Sequence, residues 1–275
     1  IFTPFDKIHR SQFGTPAMGL NRLILKLAFL CLLVWGSSAS AQQELIFILA
    51  GQSNMAGHAQ RSKLPAAYRR NPRNVSFYYN GYKTPLNHFA HFGPEIGFAH
   101  AISKRFPRHH IKLIKFAVGG TSMLAWSPNW SAHRANLTRN ASAGPLFRKL
   151  LQTADASYNS KTSHINGVLW MQGETDAKYP AVARQYIHNL RSFVIALRRQ
   201  LDNRPTQFIV AGVNPPVKQF PAAVVVYHAQ KQVVAGMQNM KFVQTNDLSK
   251  RNDNLHYDAV GQLKLGQRFA RVVSP

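Results

Sequence analysis

The sequence contains a single cysteine among its 275 residues. That residue, Cys31, lies in an apolar stretch near the N-terminus, and the bulky Leu30 before it argues against a lipoprotein signal. If this stretch is removed as a secretion signal, the rest of the chain has no thiol. Disulfide bonds, a cysteine nucleophile and cysteine-based zinc sites are then excluded, and stability has to come from the hydrophobic core.

Acidic residues are also scarce: 10 Asp and Glu accompany 34 Lys and Arg, a formal net charge of +24. Such a surface favours anionic partners, and adaptation to a particular compartment explains the charge equally well. The basic residues are scattered rather than gathered on one face with aromatic residues, so a nucleic-acid-binding module is not indicated. The few candidates for a catalytic carboxylate include five that lie in or beside the motifs described below: Glu95, Glu174, Asp176, Asp253 and Asp258.

Long apolar runs are missing as well. The apolar stretch at residues 27–35 is too short to span a bilayer, which takes about 20 apolar residues. Basic residues precede it, and an A-x-A cleavage site that ends at Ala41 follows it, which is the order of a secretory signal peptide. We therefore predict translation from Met18, loss of residues 1–41, a single domain over residues 42–275, and a secreted or periplasmic location without a membrane anchor.

Short apolar runs alternate with amphipathic stretches along the remaining chain. The runs are typical of buried parallel strands and the amphipathic stretches of helices. Strands are predicted at residues 45–50, 111–117, 168–171 and 208–212, with a weaker candidate at 242–244, and helices at 94–106, 145–156, 181–201, 221–238 and 258–272. This alternation indicates a doubly wound α/β/α sandwich with a central, mostly parallel sheet. Active sites of such sheets lie at the carboxyl ends of the strands.

Two segments near those ends carry residues suited to nucleophilic catalysis. Ser53 lies in the segment 51–55 directly after the first strand, where a turn can expose its hydroxyl at the sheet edge. Asp253 and His256 are spaced so that the carboxylate can hold one imidazole nitrogen while the other takes a proton from a serine. Taken alone, the serine is equally an ordinary loop residue, and the aspartate a helix cap beside a surface histidine.

Two further segments offer groups that stabilise an oxyanion. Gly119 and Gly120 follow the second predicted strand, and glycines there allow a backbone N–H to approach a ligand closely. A plain tight turn is the alternative. Gln172 follows the third strand, and a side-chain amide there can donate into an oxyanion hole. Glu174 and Asp176 of the same loop can instead cap the next segment or brace the loops.

In their order along the chain, these four segments resemble the SGNH hydrolases, in particular the branch with carbohydrate esterase family 6 and the sialate O-acetylesterase-like domains. That branch shows G-Q-S-N-M, G-G-T-S with a downstream Trp, W-x-Q-G-E-S-D and D-x-L-H. The matching residues here are 51–55, 119–122 with Trp126, 170–176 and 253–256, and residues 92–95 resemble the segment before the family's first helix. The resemblance covers about residues 44–272, with Thr175 in place of the usual Ser as a departure.

The resemblance implies a catalytic triad of Ser53, His256 and Asp253. The implied oxyanion donors are the N–H groups of Ser53 and Gly120 and the amide of Gln172, and the supporting motif residues are Gln52, Asn54, Gly119, Glu174 and Asp176. The implied activity is that of a secreted serine esterase that removes acyl groups, acetyl above all, from carbohydrates through a covalent acyl-enzyme. No cofactor is implied, and the histidines show no metal-ligand spacing.

The substrate class leaves alternatives open. An acidic glycan suits the basic surface, whereas a general short-chain or lipid esterase, and a catalytically silent glycan-binding protein on the same fold, are rival functions. The presence of all three triad residues argues against the silent version. Trp126 and Trp130 flank a loop after the Gly-Gly turn, where they can form a rim for sugar rings or simply pack within the loop.

Overall fold

The strands of the structure largely follow the apolar runs of the sequence. The structure is a computed structural model that describes residues 44–201 and 206–274, so the predicted signal peptide lies outside the described residues. The strands are β1 (Glu44–Gly51), β2 (Ala59–Gln60), β3 (Val75–Tyr79), β4 (Tyr82–Lys83), β5 (His91–Phe92), β6 (His110–Ala117), β7 (Ile165–Met171), β8 (Gln207–Ala211) and β9 (Met240–Val243). All five predicted strands overlap strands of the structure, namely β1, β6, β7, β8 and β9.

Seven of these strands form one sheet in the order β4-β3-β6-β1-β7-β8-β9. Neighbours in this sheet run parallel except β3 and β4, which form an antiparallel hairpin at one edge. β2 and β5 pair separately as a short antiparallel ribbon. The sequence analysis missed β2 to β5, because three of them have only two residues and β3 is not a continuous buried run.

Helices cover both faces of the sheet, which confirms the predicted doubly wound α/β class. They are α1 (Ser53–Ala56), α2 (Glu95–Arg105), α3 (Ala132–Asn136), α4 (Leu146–Asp155), α5 (Pro180–Ala183), α6 (Tyr186–Gln200), α7 (Ala223–Ala235) and α8 (Ala259–Val272). The single helix predicted over 181–201 is wrong: a tighter turn, with the N–H of Gln185 donating to the carbonyl of Val182, separates α5 from α6. Across the described ranges, no helix is long and apolar enough to cross a membrane.

β1 contributes side chains to a hydrophobic core on each face of the sheet. Successive side chains of a strand point to opposite faces. Ile46, Ile48 and Ala50 lie in the core that α4, α6 and α7 cover, whereas Phe47 and Leu49 lie in the core that α2 and α8 cover. All five are at most 1% exposed. This burial on both faces is the reason the strand is apolar throughout instead of alternating.

The carboxyl end of β1 determines where the site forms. Gly51, its last residue, pairs with Ala117 of β6 and with Met171 of β7, so the loops after these three strands meet at one edge. Gly51 has a φ of +148°, and a Cβ at this position would lie 2.0 Å from the carbonyl oxygen of Met171. Only glycine fits so close an approach, and it leads the chain directly into the segment that carries Ser53.

Candidate active site

Ser53 is the first residue of α1 and lies just beyond the end of β1. Gln52 anchors it: the N–H of Gln52 donates to the carbonyl of Met171 at 2.9 Å, and its Oε1 accepts the N–H groups of Gly173 at 3.2 Å and Thr175 at 3.3 Å. The serine is 7% exposed. Within the described residues, neither its Oγ nor its N–H has a hydrogen-bond partner. Both groups are therefore uncommitted, as a nucleophile and an oxyanion donor require.

Asp253 and His256 form the pair that their spacing predicts. Nδ1 of His256 lies 2.8 Å from Oδ2 of Asp253, whose Oδ1 accepts the N–H groups of Leu255 and His256 at 2.9 Å each. Burial opposes ionisation of Asp253, but the hydrogen bonds from His256 and Leu255 outweigh it and lower the pKa of this carboxyl to about 2. An ionised aspartate thus holds Nδ1–H of the imidazole, which leaves Nε2 as the nitrogen that can act as a base.

Asn54 ties the serine segment to the loop that carries the histidine. Its Nδ2 donates to the carbonyl of Leu255 at 3.2 Å, and its Oδ1 accepts the N–H of Tyr257 at 3.1 Å. The residue next to the serine therefore holds the backbone on both sides of His256. In the described part of the chain, no hydrogen bond joins the serine hydroxyl to the imidazole itself. Such bonds often tighten only when substrate binds.

The loop after β6 supplies a second free backbone donor. A Cβ built on Gly119 would lie 3.6 Å from the Cβ of Ser53, which places this glycine beside the serine. Gly120 is exposed, has a φ of +69°, and would meet no atom within 4 Å of an added Cβ. Its N–H makes no hydrogen bond to any described residue. The N–H groups of Ser53 and Gly120 are therefore both available to an oxyanion, the role that the motif resemblance implies for them.

Gln172, which we expected to donate its side-chain amide to the oxyanion, is enclosed instead. The residue is 0% exposed. Its Nε2 donates to the carbonyl of Thr121 at 2.9 Å and to Oδ2 of Asp176 at 2.6 Å, and its Oε1 accepts the hydroxyl of Tyr186 at 3.1 Å. A primary amide has two N–H groups, and both are used here. In this arrangement Gln172 braces the Gly-Gly loop rather than donating to an oxyanion, which corrects the expectation.

Two buried carboxylates hold the same loops together. Asp176 accepts the N–H of Met123 with both oxygens, at 3.1 Å each, and burial raises its pKa to about 7 although these hydrogen bonds and that of Gln172 oppose the shift. Glu174 accepts from Asn54 at 2.8 Å, and its Oε2 is buried without a partner among the described residues. Burial raises the pKa of Glu174 too. Both acids brace the loops, one of the alternatives that the sequence left open.

The two tryptophans do not form an exposed rim. Trp126 is 0% exposed, packs edge-on against Trp170 with ring centroids 5.2 Å apart, and donates from Nε1 to Oγ1 of Thr121 at 3.0 Å. It is therefore a core residue that supports the Gly-Gly loop, and its proposed contact with sugar was wrong. Trp130 is half-buried against Gly144, where an added Cβ would lie 2.1 Å from its Nε1. Packing within the loop, the alternative that the sequence left open, describes Trp130.

Sequence reasoning missed His58, whose ring stacks on that of His256 with centroids 4.1 Å apart and 33° between the planes. Burial lowers the pKa of His58, and the nearby His256 and Arg251 lower it further. Arg251 also fixes the pair, because its Nη1 donates to the carbonyl of His58 at 3.2 Å and its N–H to the carbonyl of His256 at 2.8 Å. A second imidazole thus covers one face of the candidate base, a contact for which the sequence offered no signal.

A cleft of about 630 Å³ opens beside the aspartate–histidine pair. Its lining contains the basic residues Lys63, Lys250 and Arg251 together with the acids Asp253 and Asp258. Asp253 is engaged by the histidine and Asp258 caps α8, so both acids keep their charge and the three basic side chains exceed them by one. Among residues 44–201 and 206–274, no group of three or more His, Cys, Asp or Glu residues could hold a metal ion.

Comparison with known proteins matches nearly the whole described chain to one family. The family model described as carbohydrate esterase, sialic acid-specific acetylesterase, matches residues 43–274. A protein of Arabidopsis thaliana described as a probable carbohydrate esterase is 25% identical over 254 residues, which is 82% of this chain and 88% of that protein.

Solved structures share the fold at lower identity. A protein from Arabidopsis thaliana has a TM-score of 0.71 and 22% identity, over 84% of this chain and 98% of its own. A carbohydrate acetylesterase from Xanthomonas citri has a TM-score of 0.65 and 15% identity, over 82% of this chain and 55% of its own. The resemblance seen in the sequence motifs is thereby confirmed: this chain belongs to the carbohydrate esterase family of sialic acid-specific acetylesterases, and it is a carboxylic ester hydrolase.

Proposed function

We propose that this protein is a secreted serine esterase in which Ser53 is the nucleophile, His256 the general base and Asp253 the residue that orients the base. One observation carries the proposal: Asn54, next to the serine, bonds the backbone on both sides of a histidine that is already paired with an ionised aspartate. This network supports the proposal because it ties the segment that carries the hydroxyl to the loop that carries the base and its acid, the three groups that acyl transfer needs.

The mechanism follows from these groups. Nε2 of His256 takes the hydroxyl proton while Oγ of Ser53 attacks the ester carbonyl. The N–H groups of Ser53 and Gly120 hold the resulting oxyanion, and the negative charge of Asp253 stabilises the imidazolium. The imidazolium then protonates the sugar oxygen of the ester as the bond between this oxygen and the carbonyl carbon breaks, which releases the sugar as an alcohol. Water, activated by the same histidine, releases the acyl group from the serine.

The substrate that suits this chain best is an acetyl ester on a sugar with a negative charge. Acetylated carbohydrate follows from the family, whereas the charge is inferred from the strongly basic chain, with a formal net charge of +24, and from the small excess of basic over acidic side chains in the cleft beside the proposed catalytic pair. Secretion is inferred from the signal-peptide pattern that ends at Ala41. An outside location would bring the enzyme to such glycans.

The first experiment is acetate release from p-nitrophenyl acetate, and then from acetylated sugars, by the protein and its Ser53→Ala variant. We expect kcat to fall at least about 10³-fold in the variant. Ser160→Ala is the matched control, because this exposed serine lies in the loop before β7, at the opposite end of the strands from Ser53, and its replacement should leave kcat unchanged. Equal turnover by a folded Ser53→Ala protein would refute the assignment of the nucleophile.

Further substrates separate this proposal from its rivals. A glycan deacetylase should favour acetate sharply, whereas a general short-chain or lipid esterase should accept longer acyl chains equally well. Glycan binding without turnover in the folded parent would indicate a binding protein on the same fold. If the sugar is anionic, added salt should raise its KM and leave that of neutral p-nitrophenyl acetate unchanged, because screening weakens only the charged contact.

A further inference from the structure

A lysine occupies a core position beneath the serine segment. In β6, Ile111, Leu113 and Ala117 lie in the core that α2 and α8 cover, and the alternation of the strand places Lys115 in the same row. The Lys115 side chain is 2% exposed, so its ammonium group reaches neither solvent nor substrate. An unpaired ammonium in such a place is strongly unfavourable. Its partners therefore decide what this lysine does.

The ammonium of Lys115 has two hydrogen-bond partners, and its Nζ also lies 6.0 Å from the centre of the Tyr79 ring. Nζ lies 2.6 Å from Oε2 of Glu95, whose side chain is 5% exposed, and it donates to the carbonyl oxygen of Ala56 at 2.8 Å. Oε1 of Glu95 accepts the N–H of Gly93 at 2.9 Å, which fixes the carboxylate. Gly93 itself lies against the serine segment, because an added Cβ would be 2.6 Å from the carbonyl oxygen of Met55. The ion pair is thus built into the support of α1.

The hydrogen bond from Lys115 to Ala56 holds the end of the short helix that begins with Ser53. Ala56 is the last residue of the four-residue helix that Ser53 begins. At the other end, the N–H of Gln52 is bonded to Met171 of the sheet. A helix of one turn has too few internal hydrogen bonds to hold its own conformation. Contacts with the rest of the protein, at its two ends and through Asn54, therefore have to hold its conformation.

Stability alone does not account for this ion pair. Taking two charges out of water commonly costs more than their attraction returns, and buried pairs can often be replaced by apolar residues without loss of stability. The pair faces no substrate. What it does hold is the C-terminal carbonyl of the helix that carries the nucleophile.

We propose that Lys115, held in place by Glu95, is a positioning residue for Ser53. It fixes the end of α1 and thereby aims the serine hydroxyl and the serine N–H at the ester carbonyl; the inference rests on the proposed function of Ser53. Displacing a reacting group by about 1 Å can cost on the order of 10²-fold in rate. Loss of the contact should therefore lower kcat and leave KM nearly unchanged.

The test is the double variant Glu95→Gln/Lys115→Met, which removes both charges together, so that neither is left buried without its partner. We expect it to fold with a thermal unfolding temperature close to that of the parent. Its kcat for an acetyl ester should be about 10- to 100-fold lower, with KM within about twofold. Its affinity for a boronic acid, which forms a tetrahedral adduct with the serine, should fall by the same factor as kcat. A merely structural pair would not separate kcat from KM in this way.

Lys112→Met is the matched control. Lys112 lies in the same strand and pairs with Glu44 at 3.2 Å, without a hydrogen bond to α1 within the described chain. The kcat of the Lys112→Met variant should equal that of the parent. Glu95→Asp is the second variant: it keeps both charges and shortens the reach of the carboxylate, so it should fold and show a several-fold lower kcat even if the double variant does not fold.

Parental kcat in a folded double variant or in Glu95→Asp overturns the proposal, as does a loss confined to KM. Ser53→Ala, measured alongside, separates this failure from that of the proposed function. If turnover does not depend on Ser53, the proposed function fails and the positioning role fails with it. Turnover that depends on Ser53 but not on Lys115 refutes the positioning role alone.

Discussion

Asn54→Ala is the substitution for which the structure predicts a loss of both stability and activity. The side chain is 2% exposed and makes three hydrogen bonds, to Glu174, Leu255 and Tyr257. Alanine removes all three and leaves a small cavity. The carbonyl of Leu255 and the N–H of Tyr257 then lose the partner that holds them next to the serine segment.

The magnitude follows from the groups that are left behind. A buried polar group without a partner costs about 1–3 kcal/mol. Glu174 can relieve part of its cost by protonation, because burial already raises its pKa. We therefore expect a loss of about 3–5 kcal/mol in the free energy of unfolding, out of the about 5–15 kcal/mol that is typical of a domain. With the backbone around His256 released, kcat should fall on the order of 10²-fold.

Urea unfolding, followed by tryptophan fluorescence, measures the loss of stability, and turnover of p-nitrophenyl acetate measures kcat. Asn136→Ala is the control, since this asparagine of α3 is exposed and should behave like the parent. Asn54→Asp keeps the acceptor for Tyr257 but puts a second carboxylate against Glu174. Its stability should be highest at acid pH and fall as the pH rises. An Asn54→Ala protein within about 1 kcal/mol of the parent, with parental kcat, would show the reasoning to be mistaken.

Three further predictions test the supporting structure. Gly51→Ala should lose more than about 4 kcal/mol of stability, because its Cβ would lie 2.0 Å from a carbonyl oxygen. Gly120→Ala should lose only about 1 kcal/mol, because its Cβ would meet open space. Thermal unfolding of both variants checks the contrast. Gln172→Ala should lower stability and kcat together. A fall in kcat at unchanged stability would instead support the original expectation that the Gln172 amide donates to the oxyanion. The pKa of Asp176 is about 7 in the folded protein against 3.8 as the reference value, so its contribution to stability is complete below the reference value and is lost as the pH rises through the folded pKa. Urea midpoints across that range should fall less steeply in Asp176→Asn than in the parent.

The central strands were predictable because burial on both faces leaves a simple signature. β1, β6, β7 and β8 are mostly buried runs of apolar residues, and such runs have few alternatives in a chain with helical stretches between them. The two-residue strands β2 and β5 lie far apart in the sequence and pair only because the rest of the fold brings them together. β4 is different: it pairs with β3 across the two-residue turn Asn80-Gly81, and an Asn-Gly turn is a local hairpin signal that our strand prediction did not use.

The aspartate–histidine pair was predictable for a related reason: Asp253 and His256 lie in one turn of chain, so their spacing nearly determines their contact. The link from Asn54 to Leu255 spans 201 positions in the sequence and depends on the whole fold. Gln172 and Trp126 show the limit most clearly. Glutamine and tryptophan occur in substrate clefts and in protein interiors alike, and the neighbouring residues decide between the two places. Here Gln172 and Trp126 each donate a hydrogen bond to Thr121 in the interior.

The scarcity of acids gives the buried carboxylates a further meaning. Only 10 Asp and Glu are present against 34 Lys and Arg, yet Glu95, Glu174 and Asp176 are all buried beside the serine segment or the loops around it. Burying a carboxylate opposes folding unless its hydrogen bonds repay the lost hydration, and surface positions next to basic side chains would have avoided that cost. The bonds these acids make reach residues around the proposed nucleophile: Ala56 by way of Lys115, Asn54, and the Gly-Gly loop by way of Met123 and Gln172. With Ser53 as the proposed nucleophile, the orientation of the reacting groups explains their burial better than stability of the fold does.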